Sequence, residues 1–399
     1  MKVLSVTAQK PNSTGSGVYL TELVKALEEE GHEQAVVAGI NKKDRIDLPE
    51  KVRLYPVCFG TEELPYPIVG MSDEMPYTST RYCDMTPQMI GQFRKAFLEV
   101  LEKAVAGMDP DIILCHHLYL LTAIVRERFP ERKVYGFCHN TDLRQMQKNE
   151  LERDYIAEQI QKLDRIFVLQ DAQIEQIRNL YGADDSKITV VGTGYNSKVF
   201  YQTGEKLSRK DGMIRVVFVG KVSEKKGVKS LLRALTMLPY GKQDLMVLIA
   251  GGAGNQEEYQ EIVELSHNCP CQIEFLGKKT QPELARVYNA CDIFVLPSYF
   301  DGLPLTVIEA LACGDRVVLT DLPGIRKWME KMVPGADIMY ITPPRMRNAD
   351  EPVAEELPGF EQKLADALEE CIQKGETRPS DVGRISWKRI ACEVIKEKE

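Results

Sequence analysis

No apolar stretch in this 399-residue sequence approaches the roughly 20 residues needed to cross a bilayer as a helix. The first ten residues, MKVLSVTAQK, turn polar too soon for a signal peptide. Both absences lead us to expect a cytoplasmic protein. Positive charge is not in excess: 51 Lys and Arg face 59 Asp and Glu, a formal net charge of −8. A general nucleic-acid binder would show the opposite balance, so no nucleic-acid partner is expected. A local basic patch stays open, and with it peripheral contact with a membrane through lipid head groups. No CxxC pair occurs among the ten cysteines. Cys269-Pro-Cys271 near His267 is the one tight cluster, and it lacks a second ligand pair at zinc spacing. The thiols read as small hydrophobes of the core, and no metal is expected.

What remains is ordinary for a globular protein, with 44% hydrophobic and 28% charged residues. The length implies two domains. The most informative stretch is IFVLPSYFDGLPLTVIEALACG, residues 293–314. Ile293 to Leu296 has the composition of a buried strand. A loop follows Pro297 and carries Asp301 and Gly302. Pro304 suits the first turn of a helix, where a missing N–H costs nothing. Leu305, Ile308, Leu311 and Ala312 recur at helical spacing, and Gly314 is a natural stop. A strand–loop–helix unit aims unpaired amides at whatever lies above the strand end, which favours a phosphate. Asp301 and Glu309 flank that mouth.

The chain opens in the same way. A strand from Lys2 to Thr7 precedes a loop, QKPNSTGSG, through Gly17, then a helix from Val18 to Glu30 and a strand from Gln34 to Ile40. That order predicts a parallel sheet. The loop is a poor dinucleotide fingerprint, because Leu20 stands where a third small residue belongs and no acid ends the second strand. The segment 59–86 lacks periodicity yet is rich in Pro, Tyr and Met. It either lines an acceptor site or only packs the domain. Asp109-Pro110-Asp111 resembles a metal-binding D-x-D but precedes a strand, Ile112 to Cys115, rather than following one. His116 and His117 end that strand, and His139 ends the strand Val134 to Cys138. Sites of parallel sheets collect at such ends. Further strands are expected at Arg165 to Leu169 and Lys187 to Val191, with helices at 87–106, 118–128, 151–163 and 172–181. Gly192 to Gly212 reads as the domain boundary.

The second half repeats the plan. A strand from Ile214 to Val219 meets a loop, GKVSEKKG, running from Gly220 to Gly227, and then a helix from Val228. Strands follow at 245–250, 272–276 and 316–320, with a helix at 283–291. An acidic loop is expected over 348–359, then helices at 362–374 and 385–398.

Taken together, DGLPLTVIE followed by ALACG resembles the E-x7-E signature of retaining glycosyltransferases of family 4, with Asp301 for the first Glu. GKVSEKKG resembles that family's G-R-x4-K-G loop, with Lys221 for Arg. CHNTDLRQ resembles its strand-end His segment. The resemblance covers nearly the whole chain. It implies an α/β protein of GT-B fold, two doubly wound Rossmann-like domains facing a central cleft. The domains would be 1–192 on the acceptor side, 193–380 binding a nucleotide-sugar donor, and 381–399 as a terminal helix crossing back to the first.

The implied reaction moves a sugar from a nucleotide-diphospho-sugar, with a UDP-sugar favoured, to an acceptor hydroxyl with retained configuration. In the family's manner, Lys221 and Lys226 would hold the diphosphate. Gly220, Gly302, Leu303, Leu305 and Thr306 would present backbone to the donor. Glu309 would take the ribose, Asp301 and His139 the sugar, and Gly17 would let backbone approach the diphosphate. No cofactor is implied. The acceptor is unspecified: a glycan, a lipid-linked sugar or a small molecule. A sugar-nucleotide epimerase on the same architecture and a non-catalytic nucleotide-sugar binding protein remain as alternatives.

Overall fold

Runs of Val, Ile and Leu without polar alternation fold as parallel strands buried on both faces, and both halves of this chain are built from them. The computed structural model describes residues 1–73, 75–204, 206, 211–347, 351–375 and 380–396. It divides into two units. One runs from Met1 to Gly194 and takes in the last stretch from Trp387; the other is Tyr195–Ser386.

The first unit holds β1 (Lys2–Thr7), β2 (Glu33–Asn41), β3 (Arg53–Phe59), β4 (Val69–Gly70), β5 (Thr80–Arg81), β6 (Ile112–His116), β7 (Lys133–Phe137), β8 (Arg165–Val168) and β9 (Ile188–Val190). Seven of them form one sheet in the order β3-β2-β1-β6-β7-β8-β9, every pair parallel. The second unit holds β10 (Ile214–Val219), β11 (Leu245–Ala250), β12 (Gln272–Gly277), β13 (Ile293–Leu296), β14 (Arg316–Thr320) and β15 (Ile338–Ile341). These form an all-parallel sheet ordered β12-β11-β10-β13-β14-β15. In each sheet the strand order reverses once, between β1 and β6 and between β10 and β13. Doubly wound sheets open a crevice at the carboxyl ends of those two strands, and ligands bind there.

Several expectations need correction. The first helix is Gly15–Glu29, capped by Thr14, whose side chain accepts from the Gly17 N–H. Gly17 therefore lies inside the helix and not on the loop. Strand β3 was not foreseen, because Pro56 interrupts its pattern; it sits at the sheet edge, where Pro is tolerated. Helices Thr141–Lys148, Gln256–Ser266 and Ile325–Met332 were also missed. The first is strongly polar, so its apolar stripe is thin. Pro304 is the cap of the helix Leu305–Ala312 and precedes its first turn. Leu357–Gly359 open the helix Leu357–Gln373 and do not end a loop. Residues 205, 207–210, 348–350 and 397–398, which the boundary, acidic-loop and last-helix readings included, lie outside the described residues.

The described part of segment 59–86 packs. Phe59, Leu64, Tyr66, Ile68, Val69, Met71, Tyr82 and Met85 join the core of the first unit. The middle of the segment grips the helix that follows His139: Gln145 Nε2 donates to the Met71 carbonyl at 2.9 Å, and Arg144 reaches Ser72 and Asp73.

The final helix, Trp387–Ile395, belongs to the first unit. Trp387 meets the Tyr19 ring edge-on at 4.8 Å, and Arg389 donates to the Val191 carbonyl at 2.7 Å. Among the described residues, no helix is long and apolar enough to cross a membrane.

Candidate active site

The second unit is built around the loops after β10 and β13. The β10 loop is pinned by backbone. Gly220 N–H donates to Ala250 at 3.0 Å, and Val222 N–H to Gly252 at 3.1 Å. Gly227 then turns the chain into the helix Val228–Leu235 with φ of +73°. A Cβ at Gly227 would lie 2.0 Å from the Pro297 carbonyl oxygen, so the two loops touch where only glycine fits. The Tyr299 N–H adds a bond to the Lys225 carbonyl at 3.0 Å. This backbone contact brings the basic loop to the acidic one. Lys226 Nζ donates to Asp301 Oδ2 at 2.6 Å, with both side chains partly buried. Lys221 is half-buried at the start of the same loop.

Gly302 and Leu303 are buried, and Leu305 and Thr306 open the helix Leu305–Ala312 half-exposed. Its first amides have no intrahelical carbonyl to reach. Glu309 is buried, and the Tyr288 hydroxyl donates to its Oε2 at 3.3 Å. Burial first, and the nearby Glu309 charge second, push the Tyr288 phenol well above its ordinary range. Tyr288 therefore remains a proton donor to that carboxylate.

A residue that sequence reasoning missed lies beneath. The buried Lys206 donates to the carbonyls of Tyr288 and Cys313 at 3.0 and 2.9 Å, and to Asp315 Oδ1 at 2.5 Å. Burial pushes the Asp315 carboxyl up to about 7 against the pull of Lys206. Nothing in the low-complexity stretch around Lys206 marks it; a lysine there reads as linker.

In the first unit the strand-end histidines form a cluster. His116 Nδ1 and His139 Nε2 share a hydrogen bond at 3.1 Å, and the rings stack with centroids 5.3 Å apart. The His117 ring lies 4.8 Å from that of His139, and its Nε2 meets Ser16 Oγ at 3.0 Å. His117 and Asn140 have φ of +73° and +72°, a left-handed backbone that is rare for such residues and collects at functional sites. Asp142, fully buried, accepts from the backbone N–H of His139 and Leu118. Desolvation depresses all three histidines, His139 to about 3 and the other two well below the ordinary range. They are neutral near pH 7. His139 thus stands in a three-ring group with His116 and His117. Tyr19 packs edge-on against His139 at 5.2 Å, which places Trp387 one ring away.

Gly17 has its N–H occupied by Thr14, and a Cβ there would sit 3.0 Å from Asn12 N and Lys10 O. The close approach it permits is of its own preceding loop. The D-x-D acids are structural: Asp109 pairs with Arg132 at 2.7 Å and Asp111 accepts from Lys2 N at 2.8 Å. Among the described residues, no group of three or more His, Cys, Asp or Glu side chains is arranged to hold a metal ion. All ten cysteines are free thiols.

Two parallel, doubly wound units of this strand order make up the GT-B class of folds. Solved structures agree across both units. A sucrose-phosphate synthase from Thermosynechococcus elongatus superposes with a TM-score of 0.69 at 16% identity, over 99% of this chain and 97% of that one. Anabaena HepE, solved with UDP and glucose, gives 0.62 at 17% identity, over 98% and 95%. The model of the Glycosyltransferase Family 4 domain matches residues 13–199, and that of Glycosyl transferases group 1 matches residues 202–338. The chain belongs to the family 4 glycosyltransferases. Among curated relatives, a D-inositol 3-phosphate glycosyltransferase of Mycobacterium sp. (strain KMS) is 30% identical over 187 residues, 44% of this chain and 42% of that protein. In that match the chain spans about two-fifths of the relative's length. One of the same name from Nocardiopsis dassonvillei is 25% identical over 415 aligned positions, 96% of this chain and 88% of that protein.

Proposed function

We propose that this protein transfers a sugar from a nucleotide-diphospho-sugar to an acceptor hydroxyl, with the anomeric configuration retained. The observation that carries the reading is the Lys226–Asp301 contact at 2.6 Å, which joins the loops on either side of the switch point of the second sheet. Breaking the anomeric C–O bond builds negative charge on the departing diphosphate. Lys226, Lys221 and the first amides of the helix Leu305–Ala312 are the cationic and dipolar groups assigned to it, without a metal ion. Gly220, Gly302 and Leu303 give the donor close backbone, and Leu305 and Thr306 its helix amides. Glu309, held by Tyr288, takes the ribose hydroxyls.

Asp301 and His139 keep the sugar-facing roles that the family resemblance gives them. Gly17 acts indirectly, by letting its loop fold onto the helix. The segment 71–73, which grips the helix after His139, is assigned to the acceptor side. HepE was solved with UDP, and a UDP-sugar is the favoured donor here; the work would be done in the cytoplasm.

The test is a thermal-shift screen against UDP-, GDP- and ADP-sugars, since a ligand bound to the native state raises its apparent stability. It is followed by assay of nucleoside diphosphate release with and without candidate acceptors. A donor that stabilises the protein and is consumed only with an acceptor supports transfer. Conversion of the donor with no acceptor present would mark an epimerase. Binding without release of nucleoside diphosphate would mark a non-catalytic binder.

A further inference from the structure

The ammonium of Lys206 has three donors, and it places them on three buried acceptors: the Tyr288 carbonyl, the Cys313 carbonyl and Asp315. Two of these acceptors belong to elements that lead to Glu309. Tyr288 sits in the last turn of the helix Gln281–Ala290 and sends its hydroxyl to Glu309. Cys313 caps the helix that carries Glu309, and its N–H donates to the Glu309 carbonyl at 3.1 Å. Both carbonyls lie at helix C-termini, where the dipole is negative, and Asp315 adds a carboxylate. The cation is what lets these three negative groups share one dry site.

The stretch around Lys206 clamps the same helix end. The Phe200 ring meets Tyr288 edge-on at 6.0 Å, Thr203 N–H donates to Asn289 Oδ1 at 2.8 Å, and Asn289 Nδ2 donates to the Tyr201 carbonyl at 3.0 Å.

We infer that Lys206 is a positioning residue for Glu309, fixing through Tyr288 and Cys313 the place of the carboxylate that binds the donor's ribose. The inference rests on the nucleotide-sugar reading. It adds a residue that touches no substrate and acts by holding the ends of two helices in register.

The test uses the full chain and isothermal titration with UDP and with inorganic pyrophosphate, which has no ribose. Lys206→Met alone leaves Asp315 and two helix-end carbonyls without their buried donor and is expected to fold poorly. The double variant Lys206→Met/Asp315→Asn removes both charges and keeps the experiment open. It is expected to bind UDP about tenfold more weakly than the native chain, with pyrophosphate affinity unchanged. In a Glu309→Gln background the same pair of changes is expected to leave UDP affinity where Glu309→Gln alone put it, because the effect runs through that carboxylate.

Equal weakening of UDP and pyrophosphate, or no weakening of UDP where Glu309→Gln does weaken it, overturns the inference alone. A native chain that binds no nucleoside diphosphate among UDP, GDP and ADP overturns the functional reading and this inference with it.

Discussion

Lys226 Nζ and Asp301 Oδ2 lie 2.6 Å apart, 75 residues apart in sequence, on loops that leave neighbouring parallel strands. A partly exposed ion pair of this kind adds about 1 kcal/mol or less to stability. Its importance is therefore where it holds charge, at the carboxyl ends of β10 and β13. Lys226→Ala is expected to lower turnover by about a hundredfold or more, while the melting temperature stays close to that of the native chain. Steady-state rates beside a thermal melt check this. Near-normal transfer by the folded variant rejects the assignment.

Glu309 is buried and faces the Tyr288 hydroxyl. Glu309→Gln keeps an acceptor for that hydroxyl and removes the charge. Nucleoside diphosphate affinity is expected to fall about tenfold, the scale of one charge-assisted hydrogen bond exchanged for a neutral one. Titration calorimetry with UDP reads it, and an unchanged Kd counts against a ribose role.

Gly227 adopts φ of +73° with its α-carbon against the Pro297 carbonyl. Gly227→Ala adds the left-handed cost of about 1–2 kcal/mol and a clash that must part the two loops. The expected result is a lower melting temperature together with loss of donor binding, since Lys226 and Asp301 depend on that contact. A variant with native stability and native binding would show that the loops do not need it.

The histidine cluster gives a pH dependence whose sign follows from burial. His139 titrates at about 3 when folded, against 6.5 ordinarily. Above pH 6.5 both folded and unfolded chains are neutral at this site. Below it the unfolded chain binds a proton that the folded one refuses, so stability falls as pH drops from 6.5 towards 3. Between pH 6.5 and 5 one such group accounts for up to about 2 kcal/mol, and His116 and His117 act in the same direction. Urea unfolding at pH 7 and pH 5 is expected to show a smaller loss in His116→Asn than in the native chain. An equal loss would remove the cluster as its source.

What the residue order determined on its own is mostly local. Largely apolar runs place β1, β10, β11, β13 and β14, because a strand buried on both faces carries little polar alternation. Glycine and proline stops place the helix ends at Gly182 and Gly314. The site motifs were legible because they cluster in short loops, GKVSEKKG and DGLPLTVIE. What only the tertiary structure decided is partnership across distance. Three histidines at and just past the ends of two strands became one group when β6 and β7 paired. Glu309 gained the Tyr288 hydroxyl as its partner only when the helix Gln281–Ala290 packed against its own. Lys206 acquired its role only when two helix ends and Asp315 met around it. Side-chain burial and charge pairing depend on which elements become neighbours, and long-range packing, not spacing along the chain, chooses those neighbours.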